Sequence, residues 1–365
     1  MTLHAPVIQV GNIDEELNKL WESQAQKNQV RACLFNLIIY SHEQRRAAYL
    51  HQIVQAILDK FPCRIIFIQA VKDVSEEFLR ASVSNAMVGQ GDVTIACDQI
   101  NIDATENQIH RVPFVVLPIL VPDLPVYLVW GQDPTSEERI LPHLQRFASR
   151  LIFDSESADN LPDFSQKILH LLDTTSLEIR DVKWASIGGW RDIFTQTFDS
   201  PQRIEHLRTC KDLQITYNGR KSIFVTHTEI TPLYFQAWIA AQFDWILISM
   251  ETKEEFRHLN YRSGEHKIRV TLIPEDIPDL TAGSLTSIQV QSSDADETTY
   301  TIIRQAEQPR VAVHLANLEK CDIPFFLPLN ELTNSTAFMA EIFYRKTSHH
   351  YRNMLAAIAM IKEQK

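Results

Sequence analysis

Apolar and polar positions follow one another along this chain in two rhythms, and the change from one to the other falls near its middle. In the first half, short continuous apolar runs are separated by stretches with helical spacing. Residues 32–40, ACLFNLIIY, form a run too short for a buried helix and suited to a strand covered on both faces. Ser41 stands three residues before Gln44, a capping-box spacing in which each side chain satisfies the other's orphan backbone donor, so a helix is predicted to start there. Leu50, Ile53, Val54, Ile57 and Leu58 then follow the i, i+3, i+4, i+7, i+8 pattern, a single stripe fit to lie on a sheet. Residues 61–71, FPCRIIFIQAV, read as the next strand, with Pro62 at its start where a missing N–H is tolerated. Strand, helix and strand with a crossover of that length predict a parallel pair.

The same reading continues for another hundred residues. Ser75 with Glu76 and Glu77 predicts a second helix start, acids being favourable near the positive end of a helix. Further strands are predicted over 92–97, 114–121 and 124–130. Thr135 and Glu138 repeat the capping-box spacing directly after Pro134, predicting a helix over 137–149, then a strand over 150–154 and a helix that turns Phe164, Ile168, Leu171 and Leu172 to one side. The polar bridge DTTSLE, residues 173–178, ends this half. Beyond it come a helical block over 190–207 and a helix running into a strand over 233–250. Then Ile288 and Val290, Tyr300 and Ile302, and Val311, Val313 and Leu315 each recur at every second residue, which predicts antiparallel strands with one wet face. A long helix is predicted over 332–361, with Tyr351, Met354, Leu355 and Ile358 as its apolar stripe. The predicted fold is therefore α/β: an N-terminal doubly wound, mostly parallel sheet (residues 1–175, Rossmann-like) and a C-terminal α+β domain built on an antiparallel sheet (residues 176–365).

Composition narrows the functions this fold could serve. The 365 residues are 45% hydrophobic and 22% charged, an ordinary globular balance, and 46 acidic against 35 basic side chains leave a formal charge of -11 that repels nucleic acid and anionic membrane. No run approaches the roughly 20 apolar residues of a membrane span, and residues 1–12 lack the order of a signal peptide, so a cytoplasmic protein is expected. The five cysteines are scattered, odd in number and without a C-x-x-C pair, which suits buried reduced thiols.

Catalytic and cofactor signatures are missing from the sequence. The turn after the first strand, YSHEQRR, has no glycine, and the nine glycines of the chain form neither G-x-G-x-x-G nor a P-loop, so no nucleotide or other cofactor is expected. VGQGD at 88–92 reads as a tight turn. His227 with Glu229 and His349 with His350 match no metal-ligand frame, and DADE at 294–297 lacks the glycine and distal Glu of a calcium loop and reads as a hairpin turn. There is no G-x-S-x-G elbow, and the sequon at Asn334 matters only outside the cytoplasm.

Two segments stand out against that background. VPDLPVYLVWGQDP, residues 121–134, reads as a strand delivering a loop to its carboxyl end, where α/β proteins keep their sites. Trp184 and Trp190 flank ASIGG and are followed by Arg191, residue types enriched in interface hot spots. The competing reading is that both rings pin a core, since each buries about 150–250 Å² wherever it lands.

These segments resemble the glucose-6-phosphate dehydrogenase assembly proteins called OpcA. RACLFNLIIY is similar to the family's first strand, FPCRIIFI to its H-P-S-R segment, VLPILVPDLPVYLVWGQDP to its L-x-P-D-L-P-V-x-L-W-W segment, and DVKWASIGGWRDIFTQTFD to its D-L-x-W-x-R-x-x-x-W-R segment, with Asp181, Trp184, Trp190 and Arg191 on the matching positions. YFQAWIAAQFDW and FMAEIFYRKTSHHYRNML resemble its later helices. The chain departs from the pattern at Val129, where many members have Trp, at Ser186, where Arg is common, and at Phe61, which replaces the His before Pro62. The resemblance implies a non-catalytic partner of glucose-6-phosphate dehydrogenase, the NADP-dependent first enzyme of the oxidative pentose phosphate pathway. In photosynthetic members, thiol redox state is held to tune the interaction. Asp123, Pro125, Trp130, Asp133, Trp184, Trp190 and Arg191 are the candidate partner-binding residues. The rival expectations are an enzyme of sugar-phosphate metabolism or a metabolite sensor, either of them using the α/β domain.

Overall fold

The structure is a computed structural model and describes residues 6–25, 30–42, 44–72, 74–88, 95–136, 140–332, 334–343 and 348–361. The chain divides into two compact units, the first comprising Met1–Asp159, Thr174–Val182 and Phe338–Arg345, the second Asn160–Asp173, Lys183–Ala337 and Lys346–Lys365.

In the first unit the apolar runs become strands of one nine-stranded sheet. They are β1 (Val7–Gln9), β2 (Val30–Arg31), β3 (Asn36–Ser41), β4 (Arg64–Val71), β5 (Leu79–Val88), β6 (Ile95–Thr105), β7 (Val126–Trp130), β8 (Arg150–Phe153) and β9 (Glu178–Asp181). Their order is β1-β5-β6-β4-β3-β7-β8-β9, with β2 beside β6. Every pair from β6 through β4, β3, β7 and β8 to β9 is parallel. Numbered by their place in the chain, these six strands have the order 3-2-1-4-5-6 of a doubly wound sheet, with its switch point between β3 and β7. All six residues of β3 are buried, as a strand covered on both faces requires. The predicted stripe of Leu50, Ile53, Val54, Ile57 and Leu58 is buried on α2 (Gln44–Leu58). Helices α1 (Ile13–Ala25), α3 (Val112–Val116) and α4 (Leu141–Leu144) lie in the same unit.

Three local expectations are corrected here. Ser75, Glu76 and Glu77 start no helix; the chain runs instead into β5, antiparallel to β6 over Leu79 to Val88, because period-two alternation in LRASVSNAMV outweighs a local cap signal. Residues 114–121 form no strand. Val112, Val116 and Ile119 are buried at helical spacing on α3 and the 3-10 turn that follows, whereas Phe114 (76% exposed) and Leu117 point outward. Pro113 and Pro118 sit in the first turns of these two segments, where no N–H is needed. The helix predicted over 137–149 is the single turn α4 among the described residues. Residues 137–139, with Glu138 of the second capping box, lie outside them, as does most of VGQGD.

The second unit follows the other rhythm. Its eight-stranded sheet has the order β11-β12-β13-β10-β14-β15-β16-β17. The strands are β10 (Cys210–Asn218), β11 (Ile246–Lys253), β12 (Phe256–Ser263), β13 (His266–Glu275), β14 (Leu285–Ser292), β15 (Thr299–Arg304), β16 (Arg310–Ala316) and β17 (Phe325–Pro328). All neighbours are antiparallel except β10 and β13. Ile288, Val290, Tyr300, Ile302, Val311 and Val313 are buried, as their period-two spacing predicts. DADE is the turn of the β14–β15 hairpin, where Asp294 accepts from the N–H (2.8 Å) and hydroxyl (2.7 Å) of Thr298.

Helices α5 (Leu161–Thr174), α6 (Val182–Ser186), α7 (Gly188–Thr197), α8 (Pro201–Arg208) and α9 (Ile230–Gln242) precede or interrupt these strands. Two helices, α10 (Asn334–Phe343) and α11 (His349–Ala359), stand where one long helix is predicted. Ser348 is extended (φ -78, ψ 138) and its hydroxyl accepts from His350 N–H, so the apolar stripe of Tyr351, Met354, Leu355 and Ile358 belongs to a separately capped helix.

Candidate functional site

The switch point of the first sheet is the place to look for a ligand crevice. There β3 delivers Tyr40 and Ser41, and β7 delivers Trp130, Gly131, Gln132 and Asp133. The rings of Tyr40 and Trp130 stack at 4.3 Å with an interplanar angle of 14°, both essentially without solvent exposure. Gly131 N–H donates to Tyr40 O at 2.9 Å. A Cβ on Gly131 would lie 2.5 Å from Leu50 Cδ1 and 2.7 Å from Tyr40 O, so only glycine permits the two strand ends to close this far. A ring nitrogen of His42 is hydrogen-bonded to the side chain of Gln132 across the same gap. These contacts tie the carboxyl ends of β3 and β7 to each other across the switch point.

The charges around it are paired internally as well. Arg46, in the first turn of α2, donates to Asp154 just past β8 at 2.5 Å, with both groups buried. Burial alone would lower the basicity of Arg46; the Asp154 carboxylate, together with Tyr49 and Glu156, outweighs it and the guanidinium is held charged more firmly than usual. The Tyr49 phenol beneath it, 4.7 Å from the guanidinium, is pushed up by burial and then by the Asp154 charge. A helix start in a nucleotide-binding sheet offers its N–H groups to a bound phosphate. Here the anion at that end of the sheet is a carboxylate of the chain. A cation in the first turn of a helix opposes the helix dipole, and that is the signal by which Arg46 stands out in the sequence.

The candidate residues of segment 121–133 separate to the two ends of β7. Trp130 and Asp133 lie at the carboxyl end. Asp133, 3% exposed, accepts from Thr135 N–H (2.7 Å), Thr135 Oγ1 (2.6 Å) and Asp159 N–H (2.7 Å), which ties down the turn after the strand. Asp123 and Pro125 lie at the amino end and are exposed, Asp123 with φ 63. The turn they belong to is anchored by buried Asn36, which donates to Val121 O (3.0 Å) and accepts from Val121 N–H (2.8 Å). A five-residue strand separates the ends by roughly 17 Å, so one small ligand does not touch both.

Trp184, Trp190 and Arg191 come together in the second unit. Trp184 (7% exposed) lies under the half-buried Arg191, whose guanidinium carbon is 3.4 Å from the ring centre, and against Tyr351 at 5.6 Å. Trp190 (1% exposed) borders a cavity of about 80 Å³ with Lys183, Ser186, Thr231 and Glu331. That volume suits a few waters; metabolite pockets are about 300–1,000 Å³. Gly189 is pressed against the Asn330 carbonyl, where a Cβ has no room. Both indoles thus sit in the packed interior, and Arg191 is the member of the trio with solvent access.

Among the described residues no group of three or more His, Cys, Asp and Glu is placed to hold a metal ion, and no helix is long and apolar enough to cross a membrane. Cys63, Cys97 and Cys210 are buried, Cys33 half-buried and Cys321 exposed, all as free thiols. Burial pushes the Cys97 thiol up to about 11 and that of Cys210 up to about 12, far from the reactive thiolate.

Comparison with known proteins places this geometry in context. The family models described as glucose-6-phosphate dehydrogenase subunit N-terminal domain and C-terminal domain match residues 54–169 and 177–324, together well over half of the chain. A protein of Synechococcus elongatus named OpcA and ascribed to the OxPP cycle is 23% identical over 215 residues, covering 57% of this chain and 46% of that protein. Its namesake in Nostoc punctiforme is 24% identical over 229 residues, covering 62% and 45%. The matched part thus spans less than half the length of either relative. Among solved structures, the oxidoreductase YvaA of Bacillus subtilis superposes with a TM-score of 0.48 at 8% identity, covering 89% of this chain and 94% of that one. A likeness at that level bears on neither activity nor ligand.

Proposed function

Because the chain belongs to the OpcA family of glucose-6-phosphate dehydrogenase assembly proteins, we propose that it is a non-catalytic factor that binds the assembled, active form of that dehydrogenase and stabilises it. The observation that carries this reading is the run of family matches through both units, residues 54–169 and 177–324. A binder activates only by preferring the active state, and by no more than its difference in affinity for the two. A tenfold shift in the ratio of active to inactive dehydrogenase requires about 1.4 kcal/mol of such preference. In this reading Asp123, Pro125 and Arg191 are the candidates that can touch a partner, and Trp130, Asp133, Trp184 and Trp190 hold the surfaces around them in shape. The protein works in the cytoplasm, where the dehydrogenase is.

The test is to mix the purified protein with the dehydrogenase of the same organism and follow specific activity together with assembly state by size-exclusion chromatography. Co-elution with raised specific activity is expected. Two independent peaks with unchanged kinetics would overturn the proposal. So would turnover of glucose 6-phosphate with NADP by this protein alone.

A further inference from the structure

The second sheet has an inner face of buried Leu213, Ile215, Leu259, Val270, Ile288 and Ile302, and an outer face whose composition is unusual for a surface. Cross-strand register lines up His258, Thr271, Gln214, Gln289 and Thr301 in one row across β12, β13, β10, β14 and β15. The next row is Ile273, Thr216, Ser287 and Ile303, and it continues through Ala312 to Phe326; Thr216 and Ala312 are buried between their neighbours, while Ile303 is 39% and Phe326 49% exposed. From β12 onward neither stretch contains a Lys, Arg, Asp or Glu, although 22% of the chain is charged; on β11 the first row ends at Glu251, which is paired with Lys253. The exposed face of an antiparallel sheet ordinarily carries charge; depletion of charge at the centre of a patch is the mark of an interface.

One corner of that face is the opposite. Arg262 and Lys267 are direct cross-strand partners on β12 and β13, and Arg269 lies two residues further on. All three are exposed, and among the described residues none has a carboxylate within ion-pair distance. Like charges directly opposite one another destabilise a sheet, so the Arg262–Lys267 pair is a cost that no ion pair of either residue offsets among the described residues. With Lys211, Ile248 and one carboxylate, Asp212, which is the register partner of Arg269 on β10, they line an open groove of about 540 Å³ in which cations outnumber acids four to one. Ile246 (56% exposed) and Ile248 (59% exposed) on the edge strand β11 add apolar surface beside it. In a chain of net charge -11, a cluster of unpaired cations is a local choice.

We propose that the outer face of the second sheet, from β11 to β15, is a docking surface for a different protein that presents a carboxylate-rich patch to Arg262, Lys267 and Arg269. This rests on the partner-binding reading above and assigns it a surface. Charge complementarity selects the occupant: the cations need acids opposite them, and the uncharged rows need a surface that loses little on leaving water. The edge strand supplies apolar contact, and the basic corner sets orientation and speeds encounter.

The test uses the full chain with R262E/K267E/R269E reversed together, K320E as an exposed control elsewhere, and R262K/R269K as the charge-conserving variant; thermal melts confirm that each is folded. With the dehydrogenase of the same organism, the triple reversal is expected to raise the apparent Kd at least about tenfold and to abolish its salt dependence, while K320E and R262K/R269K bind like the wild type. If the wild type binds and the triple reversal binds equally well, the docking surface is wrong and the proposed function stands. If the wild type does not bind the dehydrogenase at all, the proposed function falls, and the docking surface is judged on labelled poly-L-glutamate at low salt by fluorescence anisotropy. Binding lost in the triple reversal supports it; no binding, or binding that survives reversal, overturns it. Self-association of the wild type that the reversal abolishes, seen by sedimentation, would replace the foreign partner by a second copy and overturn the proposal as stated.

Discussion

Arg64 and Arg262 both stand on strands of a large sheet, and their surroundings differ in every respect. Arg64, 8% exposed on β4, donates to Asp98 through Nε at 2.9 Å and Nη2 at 2.5 Å and to Ile119 O at 2.6 Å. Arg262, exposed on β12, faces Lys267 and has no ion-pair partner among the described residues. Arg46 with Asp154 repeats the first arrangement in the first unit. The parallel sheet is buried on both faces, so any charge on it must be neutralised from within. The antiparallel sheet has one wet face, where a charge can wait for a partner. A buried ion pair is therefore a statement about structure, and an exposed unpaired cluster is a statement about what comes to meet it.

The largest effect that could break this contrast is in the first unit. Asp154→Ala strands the Arg46 guanidinium in the interior and should cost about 3–5 kcal/mol in urea denaturation. A loss below about 1 kcal/mol would mean that Arg46 reaches water, and the two regions would no longer differ in kind. Gly131→Ala comes next: its methyl has no space against Leu50 and Tyr40 O, and about 1–3 kcal/mol of overpacking is expected in the same assay.

Asp294, at the hairpin turn of the second sheet, sharpens the contrast through pH. Burial acts to raise its pKa, but hydrogen bonds from the Thr298 hydroxyl and N–H, with His206 nearby, hold the carboxyl below its usual value. Its contribution is therefore complete above the unfolded carboxylate pKa of about 4 and is lost as pH falls through the lower folded value. Asp294→Ala should cost about 1 kcal/mol at pH 7, with the gap between variant and wild type closing as melts are repeated towards pH 3. The smallest change is expected at the basic corner. Arg262→Ala should leave stability within about 0.5 kcal/mol of the wild type, on the stabilising side, since it removes a like-charge cross-strand neighbour. A clear destabilisation on calorimetry would show that Arg262 already serves the fold.

Legibility from sequence tracked the length of each periodic pattern. The stripe on α2, the strands β3 and β4, and the period-two strands β14 to β16 were readable because each repeats its rhythm over several residues. Residues 114–121 were misread as a strand because the run is apolar throughout, and only burial distinguishes the helical set Val112, Val116 and Ile119 from exposed Phe114 and Leu117. Ser75 with two acids carried a helix-start signal that β5 overrode by pairing with β6. Of the candidate site, the pairing of Trp184 with Arg191 was suggested by proximity in the chain. The separation of Asp123 from Asp133 across β7 was not, since a sequence does not say at which end of a strand a turn is anchored.

By itself, then, the amino-acid sequence determined the kind of each sustained element, the parallel character of the first sheet and the antiparallel character of the second, because these follow from local periodicity and connection length. Only the tertiary structure decided that Arg46 finds Asp154, 108 positions away, that Tyr40 and Trp130 stack across β3 and β7, and that Arg262 meets Lys267. Those outcomes depend on which strands become neighbours and in what register, and that is settled by packing over the whole unit.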